Sequence, residues 1–262
     1  MGIIQGFDLQ NFEMTQLPTT LSEAIEQAKQ AATAALDDGY KLIQVELVFP
    51  EIELQAQSIA SQFIPALEKP DTLLKVFFPD AGSAALARRD WGETPFRVTD
   101  IGTSRSPVET RLQPDDGQFL VVSPSPVEVN QVENLHKLAG DRSVVLLNPR
   151  LEDVAIIGIG YAARQLRERF LNIIESCYYL KPLDGAALFR CYPGTWEVWL
   201  EIEGEYQKIT EQSTKPVGDQ LEQILARATQ GDDPSSVTPN LPPAKKKGFL
   251  SELQSFINAL SR

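Results

Sequence analysis

The sequence is poor in the residues that most often carry metal or covalent chemistry. Its 262 residues include one histidine, His136, and two cysteines, Cys177 and Cys191. Neither a Cys/His zinc site nor a triad built on histidine has the residues that it needs, so carboxylate-only metal sites are the one class that this count leaves open. We therefore predict no catalytic residue, no metal and no cofactor.

Positive charge and long apolar runs are also scarce. The chain has 24 Lys and Arg residues against 36 Asp and Glu residues, a formal net charge of −12, which disfavours general electrostatic binding to nucleic acid. No window reaches the roughly 18 consecutive apolar residues that cross a bilayer as a helix. The N-terminus has neither a basic region nor a small-residue cleavage site, unlike a secretory or transit signal. We expect a cytoplasmic protein that neither spans a membrane nor binds nucleic acid.

The residues that are present favour an α/β fold. Apolar residues recur at helical spacing over 20–38, where Thr20 and Glu23 form a capping box and Gly39 supplies a left-handed stop. Almost wholly apolar runs such as Leu73–Phe78 alternate with helical patterns, which predicts parallel strands buried on both faces. Up to residue 150, we predict helices over 20–38, 54–67, 80–89 and 129–139 and strands over 42–49, 73–78, 96–101, 119–122 and 144–147.

The pattern changes after residue 150. Closely spaced turn signals, such as Asp184-Gly185 and Pro193-Gly194, predict hairpins. We predict helices over 162–174 and 217–228, strands over 176–180, 186–192, 196–202 and 206–211, and a short strand or apolar turn over 154–157. The predicted fold is a three-layer, Rossmann-like, mostly parallel sheet extended by an antiparallel β-meander, with a tethered C-terminal amphipathic helix. Its parts are an N-terminal extension (1–14), one α/β domain (15–228), a disordered linker (229–244) and a basic helix (245–262).

Polar residues follow three of the predicted parallel strands. Asp80 and Ser83 come after the second strand, Ser123 follows the fourth, and Asn148 and Arg150 follow the fifth. Ligands of open α/β sheets bind at the carboxyl ends of the strands, so these five side chains are the candidate ligand-binding site. The alternative is that Asp, Ser and Asn cap helices here and that proline merely ends strands.

Two further motifs have a functional and a structural interpretation. Gly158 to Ala163 matches the G-x-G-x-x-A form of the dinucleotide fingerprint, although close helix packing would also explain its glycines. Cys177 and Cys191 are equidistant from Asp184, so a three-residue turn would place them opposite each other in a hairpin. They are then a redox pair or, in the absence of a transport signal, two reduced thiols.

The C-terminal segment differs from the rest of the chain in charge. Residues 241–262 carry a local +3 against −12 for the whole chain, so the other 240 residues carry −15. Lysines at the start of a helix oppose its dipole, so helix stability does not explain them, whereas an anionic surface does. The predicted membrane or partner contacts are Lys245, Lys246, Lys247, Phe249, Leu250, Leu253, Phe256, Ile257 and Leu260. Docking onto the chain's own acidic body or onto a groove of a partner protein is the alternative.

Several segments together resemble a known family. They are the capped N-terminal helix, FFPDAGSAALA, VVLLNPRLED, the helix GYAARQLRERFL running into CYYLKPL, and FRCYPGTWEVW. In this combination the chain resembles, over roughly residues 18 to 228, a family of unknown-function domains confined largely to cyanobacteria and chloroplasts. A related plant domain is fused to an adenylate kinase, and another relative is a photosystem II assembly factor of the low-photosystem-II-accumulation type. The family supplies no catalytic residues to carry over.

The resemblance implies a non-catalytic auxiliary factor in the assembly of photosynthetic membranes or photosystems. Its partner would be a photosystem subunit or another assembly factor, and its location would be the cytoplasm with peripheral attachment to the thylakoid membrane. The alternative function is a small-ligand binding protein or enzyme, acting on a nucleotide or a phosphorylated compound at the strand-end crevice. Its anion-binding groups would be Arg150 and the turn Asp80-Ala81-Gly82-Ser83.

Overall fold

The structure, a computed structural model, describes residues 16–152 and 161–230. In the described residues the helices are α1 (Leu21–Asp37), α2 (Ala56–Leu67), α3 (Ala81–Trp91), α4 (Val129–Ala139), α5 (Tyr161–Arg169) and α6 (Asp219–Gln230). The strands are β1 (Leu42–Leu47), β2 (Leu73–Phe78), β3 (Arg97–Asp100), β4 (Asp116–Val122), β5 (Ser143–Leu147), β6 (Glu175–Leu183), β7 (Ala186–Cys191), β8 (Trp196–Ile202) and β9 (Glu205–Gln212). Short 3₁₀ turns span Ile52–Gln55, Val108–Arg111 and Leu171–Ile173.

The strands of the described residues form one nine-stranded sheet in the order β3-β2-β4-β5-β1-β6-β7-β8-β9. The pairs from β3 to β6 are parallel, and the pairs from β6 to β9 are antiparallel. The predicted fold class is thereby confirmed. The alternation of helices and strands correctly predicted the parallel part of the sheet, and the hairpin signals correctly predicted the meander. Strand β6 belongs to both parts, because it lies parallel to β1 and antiparallel to β7.

Helices cover both faces of the parallel part. The buried residues of α1, α2 and α3 belong to one apolar cluster, which also contains Ile43, Val45 and Leu47 of β1. The buried apolar residues of α4 and Leu166 of α5 belong to a second cluster, which contains Leu42. Since side chains alternate along a strand, Gln44 and Glu46 of β1 face the side of α4 and α5.

Helix α6 covers the meander on the side of the sheet where α4 and α5 lie. Its Leu221, Ile224 and Leu225 pack against a third cluster made of Tyr179, Leu188, Trp196 and Val198. Tyr179 of β6 is paired in register with Glu46 of β1, so the two side chains lie on one face of the sheet. Strand β1 therefore lies between a region covered by α5 and a region covered by α6.

The helix starts follow the predicted capping, with one shift. Thr20 Oγ1 accepts a hydrogen bond from the Glu23 N–H at 3.1 Å, as a capping box requires. The Glu23 carboxylate, however, accepts hydrogen bonds from the backbone N–H and hydroxyl of Thr19. The reciprocal bond thus reaches one residue further back. Gly39 ends the helix region with φ +97°, a conformation that favours glycine.

Three details differ from the sequence-based prediction. The helix predicted over 162–174 ends at Arg169 and continues as the 3₁₀ turn Leu171–Ile173. Leu54, the first residue of the helix predicted over 54–67, lies in a 3₁₀ turn and is 77% exposed. The hairpin of β6 and β7 closes with a two-residue turn, so Cys191 pairs with Tyr178 rather than Cys177. Neither Cys177 nor Cys191 forms a disulfide, and burial raises the pKa of the Cys177 thiol.

Several predicted segments lie outside the described residues: the extension over 1–14, the short strand over 154–157, the linker beyond residue 230 and the helix over 245–262. Among the helices of residues 16–152 and 161–230, none is both long and apolar enough to cross a membrane.

Candidate functional site

The candidate site lies where two neighbouring parallel strands send the chain to opposite faces of the sheet. Strands β1 and β5 pair directly. After β1 the chain runs to α2, on the face of the first apolar cluster, and after β5 it runs towards α5, on the other face. Ligand crevices of open α/β sheets form at such divergence points, beyond the carboxyl ends of the strands.

A cleft of about 470 Å³ occupies this position. From the carboxyl edge of the sheet, the cleft extends along the face of β1 that carries Gln44 and Glu46. There it lies between α5 and the segment before α6. Its wall combines side chains of β1 and β6, the residues after β1 and β5, the turn before β6 and Lys215. The lining residues are Gln44, Glu46, Leu47, Val48, Phe49, Ile52, Glu53, Asn148, Pro149, Arg150, Leu151, Glu152, Leu171, Asn172, Ile174, Tyr179 and Lys215.

Glu46 is the ionisable group at the base of this cleft. Its side chain is only 16% exposed. One oxygen, Oε2, accepts hydrogen bonds from Gln44 Nε2 at 2.8 Å and from Ser176 Oγ at 3.3 Å. Burial raises the pKa of Glu46, and the nearby Lys215 ammonium offsets only part of that effect. The second oxygen, Oε1, faces Lys215 Nζ at 3.7 Å.

Lys215 reaches the same place from the segment between β9 and α6. Its Nζ lies 3.7 Å from the centroid of the Tyr179 ring and 5.2 Å from that of Trp196. Both rings are nearly fully buried, so they form an apolar wall with negative faces towards the ammonium. Burial lowers the pKa of Lys215, while Glu46 acts in the opposite direction. This part of the cleft therefore places the Glu46 carboxylate and the Lys215 ammonium against aromatic rings.

Asn148 contributes a hydrogen-bond donor at the carboxyl end of β5. Its backbone adopts φ +49°, and its Oδ1 accepts a hydrogen bond from the Leu47 N–H at 2.8 Å. This bond ties the ends of β5 and β1 together across the cleft. The residue is 8% exposed, and its Nδ2 is buried without a hydrogen-bond partner. A buried amide of this kind is costly unless another group satisfies it.

The structure brings together two of the five residues predicted for ligand binding. Asn148 and Arg150 line the cleft, with Arg150 at its exposed rim in an ion pair with Glu53 at 2.5 Å. Ser123, at the end of β4, is not among the lining residues; it has φ +47° and a buried hydroxyl with no hydrogen-bond partner.

Asp80 and Ser83 lie apart from the cleft, at the start of α3. Asp80 Oδ1 accepts a hydrogen bond from the Ser83 N–H at 3.0 Å, and Oδ2 accepts one from the Ser83 hydroxyl at 2.7 Å. The two hydrogen bonds from Ser83 lower the pKa of Asp80. This arrangement is the helix cap that the sequence left as the alternative.

The predicted contacts of the C-terminal segment lie outside the described residues, so the structure does not place them. They are Lys245, Lys246, Lys247, Phe249, Leu250, Leu253, Phe256, Ile257 and Leu260. Within residues 16–152 and 161–230, no group of three or more His, Cys, Asp or Glu side chains is arranged to hold a metal ion.

Sequence analysis missed Glu46 and Lys215. A signal for Glu46 was present, because Gln44 and Glu46 alternate with Ile43 and Val45 in a strand that belongs to a parallel sheet. Such strands are normally apolar on both faces, so two polar residues on one face indicate a cleft or a partner. Lys215 gave no comparable signal, since a lysine in a polar turn is usually solvated.

Comparison with family models identifies the family of the chain. The chain matches the family described as "Domain of unknown function (DUF1995)" over residues 18–223. This match covers most of the 262 residues, including every strand of the sheet and the cleft, and the chain belongs to this family. No solved structure matches the chain.

Proposed function

We propose that the protein binds a small polar molecule in the cleft between the ends of β1 and β5. The observation that carries the proposal is Asn148, whose buried Nδ2 has no partner in the described residues although its Oδ1 is bonded. Leaving such a donor unsatisfied costs about 1 to 3 kcal/mol, and a bound acceptor would recover it. Ligand binding would therefore offset the free-energy cost of burying the Asn148 Nδ2 donor without a partner.

The dimensions and composition of the cleft suit a small molecule. A volume of about 470 Å³ falls within the roughly 300 to 1,000 Å³ of ordinary ligand pockets. Apolar side chains such as Phe49, Leu171 and Ile174 alternate with a few polar groups on its wall. Apolar surface of this kind supplies affinity, while Asn148 and Glu46 would fix the orientation of the ligand.

A thermal-shift screen tests this proposal. The full chain would be screened against nucleotides, phosphorylated compounds, carboxylic acids, amines and amino acids, each in large excess. A ligand at a hundredfold excess over its dissociation constant stabilises the fold by about 2.7 kcal/mol. The blocking variant is Val48→Trp, because Val48 lines the cleft but is 39% exposed and can carry a larger ring without disturbing the core.

The expected result is a compound that raises the melting temperature of the wild-type chain and fails to do so for Val48→Trp. Asn148→Asp keeps the acceptor for the Leu47 N–H but removes the free donor, so it should weaken the same compound. Ser123→Ala, at the neighbouring strand end outside the cleft, is the matched control and should bind normally. A compound that stabilises Val48→Trp as well as the wild type would place the binding site elsewhere.

We also propose a second role, as a non-catalytic auxiliary factor in the assembly of photosynthetic membranes or photosystems. The supporting observation is the sequence of residues 241–262, whose local +3 contrasts with −15 over the rest of the chain. The resemblance to cyanobacterial and chloroplast proteins, including the low-photosystem-II-accumulation type and the domain fused to plant adenylate kinase, supports the same role. The partner would be a photosystem subunit or assembly factor, met at the surface of the thylakoid membrane.

Affinity purification from photosynthetic membranes tests the second role. The tagged full chain should retain a subunit or assembly factor of a chlorophyll-protein complex, and a chain ending at residue 230 should retain less of it. A chain with Val48→Trp separates the two roles, because its cleft is blocked while its C-terminal segment is intact. Recovery of no photosynthetic protein by the full chain would contradict the assembly role and leave ligand binding unaffected.

A further inference from the structure

The Glu46–Lys215 pair is looser than an ordinary ion pair. The distance of 3.7 Å between Lys215 Nζ and Glu46 Oε1 exceeds the roughly 2.7 to 2.9 Å of a charge-assisted hydrogen bond. The hydrogen bonds from Gln44 and Ser176 go to the other oxygen of Glu46, Oε2, so Lys215 faces Oε1. The two charges thus face each other at a distance longer than that of a close ion pair.

The surroundings of the Lys215 ammonium form a site for an organic cation. Glu46 lies on one side, and the Tyr179 ring lies 3.7 Å away on another, with Trp196 behind it. A carboxylate combined with aromatic faces is the usual environment for ligand ammonium groups. In this structure the protein's own lysine occupies that environment.

Lys215 is able to leave this position. It lies between Gln212, the last residue of β9, and Asp219, the first residue of α6, in a segment without helix or strand. Its side chain is 34% exposed, so a short rotation of its four-carbon stem brings the ammonium to solvent. The remaining charged neighbours are Lys181, which repels Lys215, and Glu152, which attracts it.

We infer that the cleft binds a zwitterion, an α-amino acid or a betaine. The ligand's ammonium takes the place of Lys215 Nζ beside Glu46 and Tyr179, and the displaced lysine pairs with the ligand's carboxylate. This inference rests on the proposed ligand binding and names its chemical class.

Charge balance is what selects a zwitterion. A simple anion would come close to the buried Glu46 carboxylate and be repelled by it. A simple amine would satisfy Glu46 but would leave the displaced lysine with only Glu152 nearby, and Glu152 is already paired with Arg167 at 2.5 Å. A zwitterion exchanges one ion pair for two and leaves the net charge of the cleft unchanged. The unpartnered Asn148 Nδ2 offers a further donor in the same cleft.

Matched analogues with one side chain test the inference. The probes are the common amino acids and glycine betaine, followed by L-phenylalanine with its amine, phenethylamine, and its acid, 3-phenylpropanoate. Calorimetric titration of the full chain should rank each zwitterion above the matched amine, and the amine above the matched acid. A change in tryptophan emission is a second readout, because Lys215 Nζ lies 5.2 Å from the Trp196 ring.

Two variants should affect the zwitterion and the matched amine in different ways. Lys215→Met should weaken zwitterion binding at least tenfold but leave the amine unchanged or improved, because it vacates the cation position. Glu46→Gln should weaken both. A merely structural role for Lys215 would change the two probes together, and that result would overturn the inference.

The outcome separates this inference from the proposed function. If a neutral or phosphorylated compound binds and Val48→Trp abolishes the binding, while none of the zwitterions bind, the cleft is a ligand site and the zwitterion inference is wrong. If zwitterions bind equally to the wild type and Val48→Trp, the cleft itself is excluded. Each variant is first compared with the wild type by its melting temperature, and Lys215→Arg serves as the charge-preserving variant if Lys215→Met is unstable.

Discussion

Glu46 is a residue whose charge the fold would be more stable without. Since burial raises its pKa above the ordinary value of 4.5, the folded state binds a proton more tightly than the unfolded state does. The contribution of the protonated Glu46 carboxyl to the stability of the folded state is fully present below the pKa that Glu46 has in the unfolded state. It is lost as the pH rises through the pKa that Glu46 has in the folded state. At neutral pH the ionised carboxylate therefore detracts from stability, as is common at functional sites.

We expect Glu46→Gln to melt at a higher temperature than the wild type at pH 7. The amide keeps the shape of the side chain without the buried charge, and Lys215 can turn to solvent. The advantage should shrink near pH 4, where Glu46 of the wild type is itself largely protonated. Thermal unfolding at both pH values provides the measurement. Glu53 is exposed, so Glu53→Gln is the control and should change the free energy of unfolding by no more than about 0.5 kcal/mol. A lower melting temperature for Glu46→Gln at pH 7 would show that the pair with Lys215 stabilises the fold.

The sequence predicted those site residues that directly follow a strand. Asn148 and Arg150 follow a clear apolar run, and their placement at the carboxyl edge follows from parallel pairing. Lys215 comes from a segment far along the chain, after four further strands. Its approach to Glu46 depends on how the meander turns, which no local pattern encodes.

At the scale of elements, α3 shows how a polar strand end can be structural. Its N-cap Asp80 accepts two hydrogen bonds from Ser83. Asp80→Ala should therefore lower the free energy of unfolding by about 0.5 to 2 kcal/mol, whereas Asp80→Asn should lose less. Chemical denaturation measures the difference. Because Asp80 lies apart from the cleft, the same variants should bind any cleft ligand as the wild type does, and weakened binding would return Asp80 to the candidate site.

Strands β2 and β4 are tied by a buried ion pair on the face of α4 and α5. Lys75 Nζ lies 2.6 Å from Asp116 Oδ2, and Lys75 also donates to the carbonyl of Arg111. Both side chains are nearly inaccessible, at 3% and 0% exposure. Asp116 accepts further hydrogen bonds from Arg97 at 2.8 Å and from the Gln113 N–H at 2.7 Å.

Lys75→Met should destabilise the protein by about 3 to 5 kcal/mol, because it leaves a buried carboxylate without its closest cation. Adding Asp116→Asn should recover part of the loss, since the neutral amide needs no counter-charge. Urea denaturation of the single and double variants measures both effects. If Lys75→Met costs less than about 1 kcal/mol, Arg97 alone satisfies Asp116 and the pair contributes little.

Element boundaries were harder to predict than element types, for local reasons. Strand β1 ends at Leu47 although its apolar residues continue to Phe49, because the chain turns towards α2 there and Phe49 becomes part of the cleft wall. Helix α5 ends at Arg169, and the following 3₁₀ turn brings Leu171 and Asn172 to the cleft. Both deviations occur at the candidate site, where tertiary contacts compete with local preference.

At the scale of the whole molecule, the sequence predicted the class of fold but not the order of the strands. Helix-strand alternation indicates parallel pairing, and it leaves open which strand is central. The first strand, β1, lies between β5 and β6, so the cleft joins residues more than 100 positions apart, such as Leu47 and Asn148. Contacts of that separation are what a single sequence conveys least.

The division of charge along the chain leads to the last prediction. Removing residues 231–262 should leave the melting temperature nearly unchanged, because the described sheet and its three apolar clusters lie within residues 16–230. The same deletion should abolish sedimentation with phosphatidylglycerol vesicles, while phosphatidylcholine vesicles should bind neither chain. Each lysine near an anionic surface contributes about 1 kcal/mol, so neutralising Lys245, Lys246 and Lys247 should weaken binding and its salt dependence. If the full chain fails to sediment even at low ionic strength, or if the deletion lowers the melting temperature by many degrees, the segment docks on the protein body or on a partner.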